Sequence, residues 1–121
     1  MRKLTDKFVE IIMKEINKYC NCYYEEAPND TTFPYVVMTT LTLNPLDSGY
    51  NGIFDLEIYT NELSTTSVET LIDTLRDNLD GYFYREESLG FHVGFDSQLI
   101  VKSNEQDLSI RRITFQARLF R

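Results

Sequence analysis

The sequence predicts one α+β domain: a mostly antiparallel sheet with two helices packed on one face, in the order α-β-β-β-α-β-β-β. Three observations carry this. Two segments, near residues 5–19 and 68–79, repeat apolar residues every three or four positions. Five or six others are β-branched or aromatic, or alternate apolar with polar. At 121 residues, with 42% apolar and 26% charged side chains, the chain holds one core and no second. The expected domain is therefore residues 1–121 as a whole.

In the first helix, Phe8, Ile12, Ile16 and Tyr19 form the stripe, widened by Leu4, Val9 and Ile11. Thr5 or Asp6 is the expected cap, and Lys14 and Lys18 oppose the negative helix end. Residues 20–26 read as a short extended segment, followed by a polar loop over 27–32. The Phe33-Pro34 pair forces an extended entry into a strand from Tyr35 to Leu43. Residues 44–52, with one Pro and two Gly, read as a long hairpin loop. From Ile53 to Thr60, Phe54, Leu56 and Ile58 point one way and Asp55 and Glu57 the other, as in a strand with one wet face.

The second helix opens among Ser64–Ser67, with Thr66 and Glu69 spaced as a capping box. Val68, Leu71, Ile72, Leu75 and Leu79 form its stripe, and Gly81 ends it. A short strand follows at 82–86; Phe91, Val93 and Phe95 then alternate with His92, Gly94 and Asp96, Leu99 to Lys102 continues extended, and a polar turn covers 103–107. The last strand, from Leu108, points Ile113, Phe115, Ala117 and Leu119 inward and Arg112, Thr114, Gln116 and Arg118 outward.

Chemistry has little to work with. His92 is the single histidine, and nothing in the sequence brings it to Cys20 or Cys22 as a nucleophile–base pair would need. Two cysteines at C-x-C, one histidine and scattered carboxylates do not make a zinc site. Neighbouring C-x-C positions close a disulfide only with strain, so the expectation is two reduced thiols. The five glycines stand singly, and none opens a helix as a phosphate loop does. The chain is expected to be no enzyme and to need no cofactor or metal. No stretch is long and apolar enough to span a bilayer and no signal core follows the N-terminus, which points to a cytoplasmic product.

A net charge of −7 argues against general binding of nucleic-acid phosphates. The charge is divided unevenly: residues 1–110 carry −11, and the last eleven carry +4 from Arg111, Arg112, Arg118 and Arg121. That asymmetry suits contact with a second copy, and it also suits a solvated strand. Glu69, Asp73, Asp77 and Asp80 form an acidic ridge on the second helix. It is either an exposed face or a surface that meets a basic partner or repels a polyanion. Eight Tyr and eight Phe exceed what one small core readily hides. β-propensity accounts for some of them, and interfaces favour the rest.

The order of parts resembles the tail-terminator (tail-completion) proteins at the head–tail junction of long-tailed phages and prophages. The resemblance rests on the N-terminal helix, on Phe33-Pro34-Tyr35-Val36-Val37-Met38 after an acidic, Pro-containing loop, and on the alternating strand Phe54-Asp55-Leu56-Glu57-Ile58-Tyr59. The helix Val68–Leu75 and the closing pattern Arg112-Ile113-Thr114-Phe115-Gln116-Ala117 complete it. It covers nearly the whole chain as a layout, and no Trp is present.

The resemblance implies a ring of copies, a hexamer, that caps the tail tube, meets the head connector protein and lets DNA pass without specific binding. It implies assembly in the host cytoplasm and residence in the virion, with no membrane. On that layout Arg111, Arg112, Arg118, Tyr35, Tyr50 and Asp47 are candidates for subunit or tube contact. Asp55, Glu57, Glu69, Asp73 and Asp77 are candidates for an acidic lumen. Another neck or head-completion protein, and a small ligand-binding or regulatory domain, are the alternatives.

Overall fold

A computed structural model describes residues 2–28, 32–47, 49–61, 65–87, 89–101 and 108–120. Its elements run α1 (Arg2–Ile16), β1 (Asn21–Tyr24), β2 (Tyr35–Leu46), β3 (Gly49–Asn61), α2 (Thr65–Leu79), β4 (Phe83–Arg85), β5 (Gly90–Val101) and β6 (Leu108–Phe120). The expected order is the observed one. The strands form one six-stranded sheet in the order β1-β2-β3-β6-β5-β4. Only β1 and β2 pair in parallel; the other four pairings are antiparallel.

Both helices lie on one face. Phe8, Ile12 and Ile16 of α1 and Val68, Ile72, Leu75 and Leu79 of α2 share a core with alternate strand residues. Those are Val36 and Met38 of β2, Phe54, Leu56 and Ile58 of β3, Phe91 and Val93 of β5, and Ile113, Phe115, Ala117 and Leu119 of β6. Phe8 sits at the centre, edge-on to Phe54 at 5.7 Å and to Phe91 at 4.8 Å between ring centroids. That is the favoured aromatic geometry. The inward and outward sets expected for β3 and β6 are those observed.

Two local expectations are corrected. The first helix begins at Arg2, so Thr5 and Asp6 lie within it, and it ends at Ile16 rather than Tyr19. Asn17 stops it by folding back: its Nδ2 donates to the Met13 carbonyl (2.9 Å) and its Oδ1 accepts the Cys22 N–H (3.0 Å). Tyr19 therefore leaves the apolar stripe and is exposed.

The segment 44–52 is not a long loop. Leu43, Asn44, Pro45 and Leu46 pair with Gly52, Asn51, Tyr50 and Gly49. Pairing with β6 extends β3 through both glycines, with Gly49 opposite Phe120. Gly49 has φ 153°, and a Cβ there would collide with the Leu119 carbonyl, so the close approach of β6 requires glycine. Pro45 is tolerated because this end of β2 is a sheet edge. The extended run expected from residue 91 onward is one strand, β5, with a bulge between Phe95 and Ser97.

Gly81 follows α2 with φ 83°, the left-handed conformation of a C-terminal cap. The capping-box side chain of Thr66, the loop at 29–31 and the polar turn at 103–107 lie outside the described residues.

Candidate assembly surface

Because the core lies on one side, the other side of the sheet is bare among the described residues. Its centre is polar and internally paired. Glu57 on β3 stands opposite Arg112 on β6. Glu57 Oε2 accepts from Arg112 Nη2 at 2.7 Å and Nε at 3.2 Å, and its Oε1 accepts the Tyr59 hydroxyl at 2.8 Å. This partner raises the Arg112 pKa further. Burial, then the hydrogen bond to Glu57, pushes the Tyr59 phenol up to about 12. One register step away, Thr114 donates its hydroxyl to Asp55 Oδ1 at 2.6 Å.

Beside these charges lies an aromatic row. Tyr35 stacks on Tyr59 (4.9 Å, 9°) and on Phe33 (5.5 Å, 26°), with Tyr23 edge-on at 6.2 Å. The register explains the row, since Tyr35 is opposite both Asn21 and Tyr59 and Tyr23 is opposite Val37. The sequence shows many aromatics, but not that these four converge. At the far edge Phe83, 58% exposed, sits 6.2 Å from Phe120, with the Arg85 guanidinium 5.3 Å over the Phe120 ring.

The candidate contact residues divide. Arg112 and Tyr35 are on the bare face, and Arg118 lies there beside Asn51 and His92 in register. Asp47 is exposed in the β2–β3 turn. Arg111, by alternation, points to the helix side, where it reaches Ser109 Oγ (2.7 Å) and Glu69 Oε1 (3.4 Å). Tyr50 packs against the core from the same side.

The acidic candidates divide as well, onto opposite faces. Asp55 and Glu57 are on the bare face and engaged. Glu69, Asp73 and Asp77 lie on α2 behind the sheet. Arg76 is bracketed there by Asp73 at 2.8 Å and Asp77 at 3.9 Å, and Asp80 accepts the Phe95 N–H at 2.9 Å. The ridge is thus held partly in check by Arg76 and Arg111.

Nucleophile and base do not converge. Cys20 and Cys22 are free thiols. Cys22 is buried, and burial pushes its pKa up to about 12, the opposite of activation. His92 is exposed on β5, on the other side of β2, β3 and β6 from β1. Among the described residues no group of three His, Cys, Asp or Glu is placed to hold a metal, and no helix is long and apolar enough to cross a membrane.

No family model and no curated protein matches the sequence. The fold is similar to that of a chain in the virion of a native gene transfer agent particle. The two are 13% identical, with a TM-score of 0.68 over 92% of this chain and 85% of that one. The likeness is one of fold.

Proposed function

We propose that this protein is a structural component of a phage-like virion, a tail terminator that caps the tail tube as a ring of copies and joins it to the head. The observation that carries the reading is the fold likeness to a virion chain over nearly the full length of both. The order of parts and the Phe33–Met38 segment agree with it. So does a bare sheet face with an aromatic row and paired charges, which suits contact with other chains better than turnover of a substrate. On this reading Tyr35, Arg112, Arg118 and Asp47 touch a neighbouring copy, the tail tube protein or the head connector. Asp73 and Asp77, well exposed on α2, are the acids best placed to line a lumen that DNA passes without being gripped. The hexameric number, assembly in the host cytoplasm and residence at the head–tail junction belong to the same proposal.

The test is to mix the purified protein with isolated tail tubes and image them by negative stain. A ring at one tube end, with polymerisation of tube protein halted, is the expected result. Binding to the head connector without any effect on tube growth would assign the chain to another joining component. No binding to either would retire the reading.

A further inference from the structure

The sheet has two incomplete edges, and they match. On one side β4 covers only Gly90–His92 of β5. The Gly81 N–H and the Tyr82 carbonyl take both backbone groups of Val93, and Asp80 takes the Phe95 N–H. From Asp96 to Val101 the outer edge of β5 has no strand beside it among the described residues. This run carries no Pro or Lys, and the other guards of an edge, a charge and a bulge, are confined to Asp96 at its start. It does carry Leu99 at 49% and Ile100 at 69% exposure. On the other side β1 covers β2 only from Tyr35 to Met38. Among the described residues the edge is open from Thr39 to Asn44, and at Pro45 it loses its donor. Each open run is six residues long, and each is bounded by a short strand that acts as a stop.

We infer that the open edge of β5 is completed by the open edge of β2 from a second copy of this chain, head to tail. This rests on the ring-forming reading above and supplies its interface. β2 and β5 run in opposite directions within the sheet, so the same orientation of the next copy presents β2 antiparallel to β5. Centring the two runs while keeping faces matched puts Leu99 opposite Thr42 on the bare face and Ile100 opposite Leu41 on the helix face. Ile100 shares that face with Arg111, and Leu41 packs against the core beside Phe54. The exposed Ile100 thus gains an apolar neighbour, the pairing that stabilises a sheet most directly.

The register also gives the stagger. Leu99 is level with Arg112, Glu57 and then Val37 of its own chain, whereas it pairs with position 42 of the next. Each copy is displaced by five residues, about 16 Å over the four strands β2, β3, β6 and β5, spaced about 4.8 Å. That corresponds to a strand tilt of about 40°, within the roughly 35–45° of closed barrels. A heterologous contact of this kind closes a ring when its rotation closes and otherwise makes an open filament.

Disulfide trapping in the full chain tests the pairing. In a Cys20→Ser background, Leu99→Cys with Thr42→Cys is oxidised at high protein concentration and run on a non-reducing gel. The expected result is a ladder of dimer, trimer and higher species that collapses with reductant, while each single cysteine variant stays monomeric. Ile100→Lys, at an exposed position that leaves folding intact, is expected to lower the oligomer fraction in light scattering at least tenfold. Dimers from Leu99→Cys alone would show β5 pairing with β5 and overturn the inference, as would the absence of a ladder at millimolar protein. A ladder from a protein that never binds tail tubes would keep the pairing and remove the virion role.

Discussion

The Glu57–Arg112 pair allows a quantitative test of the bare face. The two side chains are unequally wet: Glu57 is 12% exposed and Arg112 37%. Replacing Glu57 with Ala leaves an arginine that can turn to water, and removes the acceptor of the Tyr59 hydroxyl. Hydrogen bonds to charged groups are worth about 1.5–3 kcal/mol, and partial exposure favours the lower part of that range, so the expected loss is about 1.5 kcal/mol. Arg112→Ala instead strands a carboxylate that is nearly covered. Its expected cost is larger, about 2–3 kcal/mol, still below the roughly 3–5 kcal/mol of a fully buried pair. For 121 residues the unfolding entropy is about 0.25 kcal/mol/K, so these losses lower Tm by about 6 and 10 °C. The double variant should fall short of the sum by about 1 kcal/mol, because both changes remove one interaction. Calorimetry of the four proteins at neutral pH measures all three quantities. Equal, additive losses below about 0.5 kcal/mol would refute the reasoning and make the pair an ordinary surface contact.

Phe8→Ala should cost about 3–5 kcal/mol in urea unfolding, because it empties a site enclosed by Phe54 and Phe91; a loss under about 1 kcal/mol would mean that α1 is not docked as described. The Tyr59 phenol, held up to about 12, stays protonated in the folded state where the unfolded chain has already lost its proton. That contribution to stability is complete below about pH 10 and is lost as pH rises from about 10 to 12; Tyr59→Phe should flatten that decline, and ultraviolet titration should lose its latest tyrosine step. Cys20 should react with a thiol reagent well before Cys22, whose burial pushes its pKa up to about 12; labelling with mass spectrometry reads the order, and equal rates would contradict the burial of Cys22.

The alternations at 54–58 and 112–119 and the stripe at 68–79 are written in the chain, since a strand or helix with one buried face must repeat with its own period. Element order, inward and outward sets, and both helices on one face follow from this local patterning. Tyr19 leaves the stripe because apolar periodicity does not register the fold-back of Asn17 onto the next strand. The 44–52 segment reads as a loop because Pro and Gly signal turns, whereas pairing with β6 makes Gly49 and Gly52 strand residues. The first competitor acts within five residues but lies outside apolar periodicity; the second comes from a strand distant in sequence.

Tertiary structure alone decided which strands meet. The last strand enters the middle of the sheet, between β3 and β5, and this joins Glu57 to a residue 55 positions away. The pairing of β1 with β2 and of β2 with β3 gathers Phe33, Tyr35, Tyr59 and Tyr23 into one row. The strand order leaves β2 and β5 as the open edges. One sequence determines the pattern of each element because that pattern is read over a few neighbours. The choice of partner is read across the whole chain, in the packing that buries all the apolar faces at once.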